Sequence, residues 1–427
     1  MMDYEAMLRR ENVPALGCTE PIACAYAAAW AASVLPCKPD RIEVEGSRNM
    51  LKNAMSVGIP GSDMVGLPIA AALGAVGGNH LRELEVLAEL TPEKIAESRE
   101  MVLAGKVTVR QKQDVESLYI EVKVTGGGHT ATAIVRRYHT QLTDLTLDGR
   151  ALRHERLPEQ GSASAEELGM SVRGIYEYCT TADTNRLKFL LDGAKLNLRM
   201  AEEGLNEKCG INVGKCLADA AHHKRLFGED IGSRAVAATA AACDARMAGA
   251  RLPVMSVAGS GNQGMVCTIP VAVYAEGIQA SEEQLIRALA VSELITIHIK
   301  SRLGRLSALC GCGIAAAVGT SCGVVLLLGG GEKQIEYAIT NMVANITGMI
   351  CDGAKAGCAM KVATAVSAGI QCAVLAMNDV CVPPIDGIVD SDIEKTIANL
   401  GYVGREGMAQ TDQVILDLMT GKTISTC

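Results

Sequence analysis

The pattern of apolar and polar residues divides the chain near residue 155. Before that point two short runs alternate with period two, Arg41-Ile42-Glu43-Val44-Glu45 and Leu118-Tyr119-Ile120-Glu121-Val122-Lys123-Val124. Successive side chains on a strand point to opposite faces, so such alternation predicts half-buried strands. The second run meets Gly126-Gly127-Gly128 and resumes as His129-Thr130-Ala131-Thr132-Ala133-Ile134-Val135, which predicts a hairpin. Between the strands, Thr91-Pro92-Glu93 opens a helix that Gly105 closes. Residues 1–16 predict a short amphipathic helix. The Ala-rich run that follows, to Cys37, predicts another helix, with Thr19 as its cap and Glu20 and Pro21 in its first turn. From Ser164 onward the pattern is helical. Ser164 with Glu167, Ser281 with Gln284, and Ser391 with Glu394 each have capping-box spacing. No strand alternation and no repeat of fixed period follows. The polar segment 141–163, with Pro158 and Gly161, is the predicted linker. The expected fold class is α+β, with a mixed α+β domain over 1–155 and an all-helical domain over 156–427.

Composition sharpens this picture. Hydrophobic residues make up 49% of the 427 but aromatics only 3%, so closely packed helices with small contact residues are favoured over aromatic-layered sandwiches. The net charge of −8 comes without a basic run, and no nucleic-acid partner is expected. The acidic start Met1-Met2-Asp3-Tyr4-Glu5 lacks the layout of a signal peptide. Sixteen cysteines then point to reduced, metal-bound or catalytic thiols and a cytoplasmic location. From Leu306 to Gly331 no residue is charged, a run that passes the membrane-span criterion of about 20 residues. Seven glycines interrupt it and no Trp or Tyr flanks it, so a helix buried in a large core is expected and no membrane partner.

Four stretches carry candidate chemistry. Met349 to Lys361 holds Cys351 and Cys358, with Asp352, Gly353, Lys355 and Gly357 between them. In a continuous helix the thiols would stand roughly 10 Å apart along the axis, but the glycines let the chain fold back. Gathered thiolates would suit iron–sulfur or zinc; a pair of buried thiols is the plainer alternative. Gly17-Cys18-Thr19-Glu20-Pro21 puts Cys18 just before a helix start, where the dipole favours thiolate, unless it only fills a turn. Ala258-Gly259-Ser260-Gly261-Asn262-Gln263-Gly264 is a polar loop whose N–H groups could hold an anion. It matches neither a Walker loop nor a dinucleotide fingerprint, and a helix-breaking turn explains it equally. Finally, His298, Lys300, Arg302 and Arg305 precede Cys310-Gly311-Cys312, where cations would favour thiolates or simply form a solvated helix end.

These stretches, in this order, resemble L-cysteine desulfidases and their relatives among serine-dehydratase-like alpha-chain proteins of the iron–sulfur type. Residues from about 165 onward are also similar to the helical alpha domain of bacterial iron–sulfur L-serine dehydratases. The resemblance implies a 4Fe–4S cluster held by three cysteines with one iron open to substrate. Cys351 and Cys358 match two ligands, and the first falls on Cys310, with Cys312 as the alternative. Cys427 stands where some serine dehydratases place a cysteine that reaches the open iron. Cys18 matches the catalytic base. Thr19, Glu20, Ser260, Gly261, Asn262, Gln263 and Lys355 are the implied substrate contacts, with Lys361 as a second counter-charge and His129 a weaker pocket candidate. The implied activity removes hydrogen sulfide from L-cysteine without pyridoxal phosphate, with L-serine dehydration or a redox-sensing cluster as alternatives. A homodimer is expected.

Overall fold

The computed structural model describes residues 2–157, 169–219, 228 and 230–422. The fold is α+β: a mixed sheet in the N-terminal region and a large helical C-terminal part. The sheet has six strands: β2 (Arg41–Gly46), β3 (Val107–Gln111), β4 (Tyr119–Gly126), β5 (His129–Arg136), β6 (Leu142–Leu147) and β7 (Arg150–His154). Their order is β3-β2-β4-β5-β6-β7, with only β2 and β3 parallel. Register sets Val44 opposite Val122 and Val122 opposite Ala133, so the apolar alternates share one face. That face packs on the helix Thr19–Val34. The helix's other side meets Leu67–Gly77 so closely that a Cβ on Gly74 would lie 2.1 Å from the Ala25 carbonyl oxygen. A helix covered on both sides has no polar stripe, and this one is apolar nearly all round.

The predicted hairpin, its Gly127-Gly128 turn, and the Thr91-capped helix Pro92–Leu103 are all present. The expected linker is not a linker over its described part. It holds β6 and β7, joined by Asp148-Gly149, both at positive φ. β7 is exposed along its whole length, so nothing selects for alternation there. Residues 158–163, and the Ser164–Glu167 cap, lie outside the described residues.

The first sixteen residues, expected as one helix, form a helix and a short strand, and both touch the helical part. Helix Tyr4–Glu11 sets the Tyr4 ring 5.2 Å from that of Tyr178, and the Asn12 amide donates to Glu293 at 2.7 Å. A short strand β1 (Val13–Leu16) follows and pairs antiparallel with β8 (Pro253–Ser256). The stretch read as all-helical therefore contains one strand among its described residues, too short for alternation to register. Helices Ile231–Met247, Gly261–Gly277, Glu282–Leu303, Ala317–Leu327 and Cys358–Met377 form the core. Glycines allow backbone contact: a Cβ on Gly204 of the neighbouring helix Phe189–Asn206 would stand 2.0 Å from Ala241 O, and one on Gly319 2.2 Å from Ser292 O. The capping box at Ser281 and Gln284 is formed. At the next predicted box the cap is Asp392 instead, and Glu394 turns away to accept from Val172 N at 2.7 Å and to pair with His298 at 2.7 Å. The uncharged run 306–331 is a loop, a π-helical turn at Cys312–Ala316 and the buried helix Ala317–Leu327. One helix among the described residues, Cys358–Met377, is long and apolar enough by composition to cross a membrane, and it packs against three core helices.

Candidate active site

Cys18 is the residue just before helix Thr19–Val34, one position earlier than the predicted cap, and it makes no capping bond. Gly17 before it holds φ +86° with the Pro60 ring against it, so only glycine fits this turn. The Cys18 thiol donates to Glu20 Oε2 at 3.1 Å, and Thr19 Oγ1 donates to the same oxygen at 3.1 Å. Asn53 Nδ2 donates to Glu20 Oε1 at 3.0 Å. All four side chains are nearly or fully buried. Burial first, then the Glu20 charge, pushes the Cys18 thiol well above its ordinary pKa, and Arg246 only partly offsets them. The expectation of a thiolate favoured by the helix dipole is thus corrected: desolvation and a neighbouring carboxylate outweigh half a unit of dipole charge. Burial also opposes the Glu20 charge, but the facing His139 and the hydrogen bonds from Cys18 and Asn53 prevail and hold the carboxyl below its usual range. Burial holds His139 down to about 4, so the ring is neutral; its Nε2 has no hydrogen-bond partner among the described residues.

Asn53 also connects this nest to the cysteines. Its Oδ1 lies 3.9 Å from Cys351 Sγ, and its backbone oxygen accepts from Ala354 N at 3.1 Å. Next to it, fully buried Lys52 donates to the Cys351 carbonyl at 2.9 Å and to Asp412 Oδ1 at 2.5 Å. The Cys351 loop is bound on its other edge to residues 308–310. Cys310 N donates to Met349 O at 2.9 Å, Cys351 N donates to Ala308 O at 2.7 Å, and Leu309 bridges Ile350. Two segments forty residues apart are thereby zipped together, and the thiols of Cys310, Cys312, Cys351 and Cys358 fall within electrostatic reach of one another. Cys310 is the most acidic of them, lowered to about 6: the Cys312 thiol donates to it, and Gly313 N donates to its sulfur at 3.4 Å, against the opposing effect of burial. Burial raises Cys351, and raises Cys358 to about 11. Of the two readings of the 298–305 cations, the solvated helix end does not hold for the first two. His298 and Lys300 are buried, and desolvation lowers the Lys300 ammonium to about 8, while the nearby thiols of Cys312, Cys351 and Cys310 oppose that shift.

Among the described residues no three His, Cys, Asp or Glu side chains stand close enough to share a single metal ion. The donors at this centre are thiols only, a set that suits iron–sulfur chemistry, and the ligands of a polynuclear cluster stand farther apart than those of one ion. The residues present fit such a cluster.

The loop 258–264 is strained, with Ala258 at φ +50° and Gly259 at +81°, and ends as the first turn of helix Gly261–Gly277. Ser260 makes no side-chain cap bond, so the first-turn N–H groups have no intrahelical partner. Beneath them Arg246, almost fully buried, donates to Asn262 Oδ1 at 2.7 Å and to Gly17 O at 2.7 Å. It ties this loop to the Cys18 turn, and its Nε lies 2.6 Å from where a Cβ on Gly261 would be. The Gln263 amide donates to Val257 and Ala258 carbonyls, while its Oε1 has no partner among the described residues and lies 2.7 Å from where a Cβ on Gly311 would be.

Of the predicted site residues, Cys18, Thr19, Glu20, Ser260 to Gln263, Cys310, Cys312, Cys351 and Cys358 come together around Asn53, Arg246 and Lys300. Lys355 and Lys361 both close on Asp352, and their charges reach the thiols, Lys355 that of Cys358 and Lys361 those of Cys310 and Cys351. His129 lies on the exposed hairpin, paired with Asp148 at 2.7 Å, because it sits at the turn end of β5 rather than on the covered face. Cys427 lies outside the described residues. Sequence reading missed Lys52, Asn53, His139 and Arg246. None belongs to a motif, and each matters only through partners far away in the chain.

A mixed sheet packed on helix Thr19–Val34, a glycine-packed helical core, and a buried Cys-Glu-Asn nest beside converging thiols define an α+β protein with a buried cluster of titratable groups. Residues 82–417 match the serine dehydratase alpha chain family, and the chain belongs to that family. It is 50% identical over 420 residues to a UPF0597 protein of Oleidesulfovibrio alaskensis, covering 98% of each chain. It is 47% identical over 418 residues to one of Bacteroides fragilis (98% and 97% covered), and 41% over 424 to one of Clostridium perfringens (98% of each). Membership implies a serine-dehydratase-like lyase, and the family is of the iron–sulfur type.

Proposed function

We propose that the protein is an iron–sulfur lyase, independent of pyridoxal phosphate, that converts L-cysteine and water to pyruvate, ammonia and hydrogen sulfide. The observation that carries this reading is the Asn53 link: one amide touches both the carboxylate beside Cys18 and the Cys351 thiol. A proton-transfer group and the thiol centre thus share one wall. Cys310, Cys351 and Cys358 would hold a 4Fe–4S cluster, with Cys312 donating to Cys310. When bound, such a cluster supplies a Lewis acid at its open iron for the substrate's sulfur or carboxylate.

The chain's own residues then divide the work. The resting site holds Cys18 as a thiol and Glu20 as a carboxylate, so the transfer is concerted: Glu20 Oε2 draws off the thiol proton as the Cys18 sulfur takes the substrate's Cα proton, a base paired with an orienting carboxylate. Thr19 and Asn53 keep Glu20 ionised and fixed. The N–H groups at Gly261 to Gln263 receive the substrate carboxylate at a helix start. Loss of sulfide leaves an aminoacrylate, which water hydrolyses to pyruvate and ammonia. The matched family's own name favours a second reading, L-serine dehydration, in which hydroxide leaves in place of sulfide. A homodimer in the cytoplasm completes the proposal.

The test is anaerobic reconstitution with iron and sulfide, followed by sulfide release from L-cysteine and pyruvate formation from L-serine. Faster turnover of L-cysteine is expected; preference for L-serine would replace the first reading by the second, and a loaded protein that turns over neither would sink both. Cys18→Ala should keep the iron and lose turnover by roughly 100-fold or more, the usual weight of a general base.

A further inference from the structure

A cavity of about 370 Å³ opens beside the site, at the junction of the first helix, the turn after β5 and the 258–264 loop. Its size is that of a small-molecule pocket. Two arginines, Arg10 and Arg305, and two carboxylates, Glu11 and Glu83, line it, together with His139 and Gly259. Glu11 is only 4% exposed and His139 6%. Arg305 spans the space: Nη2 lies 3.0 and 3.1 Å from the two Glu11 oxygens, and the guanidinium stacks 4.2 Å over the Tyr138 ring. Arg10 Nε reaches Glu11 at 3.1 Å. Where a Cβ on Gly259 would sit, Arg305 Nη1 is 2.8 Å away, so guanidinium and loop form one continuous surface.

We propose that this cavity is the recognition pocket for the zwitterionic head of an α-amino acid, its carboxylate shared between Arg305 and the 258–264 loop and its ammonium on Glu11. A zwitterion inserted between Arg305 and Glu11 exchanges one ion pair for two and leaves neither charge unpartnered. A bare carboxylate would leave buried Glu11 with Arg10 as its cation, and a bare amine would draw Glu11 away from Arg305 and leave that guanidinium short of a carboxylate; losing part of the pairing of a desolvated charge is what such a site rejects. The lining charges balance, two against two. His139 adds no third charge, since burial keeps it neutral, and this residue both lines the cavity and interacts with Glu20, with its Nε2 buried and without a partner among the described residues. The pocket would thus deliver the Cα–H toward the Cys18–Glu20 pair. The assignment deepens the lyase reading, from which it takes only the class of substrate.

L-Alanine tests it, because it has the zwitterion but no β leaving group and needs no cluster. Isothermal titration of the full-length, cluster-free protein should show one alanine per chain, with propionate and ethylamine each at least tenfold weaker, the usual weight of a charged hydrogen bond. Glu11→Gln and Arg305→Gln should each weaken alanine by a similar factor while keeping the native circular dichroism. Propionate binding as tightly as alanine, alanine failing to bind, or both variants binding normally would overturn the pocket. The unsubstituted chain with three probes carries the test even if a variant fails to fold. Alanine bound by a protein that, loaded with cluster, turns over nothing would refute the lyase reading and leave the pocket standing.

Discussion

Lys52→Met removes the charge of a side chain that has no exposed surface and donates to the Cys351 carbonyl. Its partner Asp412, on helix Thr411–Thr420, is 12% exposed in its side chain and also accepts from Asn49 at 2.6 Å. Breaking one side of a buried pair costs roughly 3 to 5 kcal/mol, because the remaining charge is left desolvated. The Cys351 carbonyl loses its donor as well, worth about 1 kcal/mol more. The unfolding free energy of the reduced, cluster-free protein should therefore fall by roughly 4 to 6 kcal/mol, read from urea titration by circular dichroism. Asp412→Asn added to Lys52→Met removes the stranded charge, so the double variant should recover about half or more of that loss, since a buried pair removed together is often near neutral. A single variant costing less than about 1 kcal/mol, or a double variant equal to the sum of the singles, would show that the pair does not clamp the loop.

Two further outcomes follow. Cys351→Ser or Cys358→Ser should abolish cluster incorporation, measured as iron per chain after anaerobic reconstitution; full iron in either would refute the ligand set. His139 is held at about 4 against an ordinary 6.5, so between those values the unfolded chain binds the extra proton and stability should rise with pH across that window. Thermal midpoints of His139→Gln should lack that rise, and an unchanged slope would place the ring's titration elsewhere.

The strands at 41–46, 119–126 and 129–136 were legible because one face of each lies on a helix and the other meets solvent, which writes period two into the residues. β7, bare on both faces, and the four-residue β8 carry no such mark. The glycine-rich segments around Cys18, residue 260 and Cys351 were legible as well, because turns at positive φ and close backbone approaches leave glycine as the residue that fits. What the chain order alone supplied was which thiols and which loops to consider as a candidate site. Only the tertiary structure decided that Cys18 is held as a thiol, since its protonation follows from burial and from Glu20 beside it. It alone brought in Asn53, Lys52, Arg246 and His139, closed Lys355 on Asp352 within reach of Cys358, and set His129 against Asp148 on the exposed hairpin. The physical reason is common to all of them: a charge or hydrogen bond acts over a few ångströms of space, and the partners that decide it lie anywhere from sixteen to 360 residues away along the chain for Arg246 and Lys52.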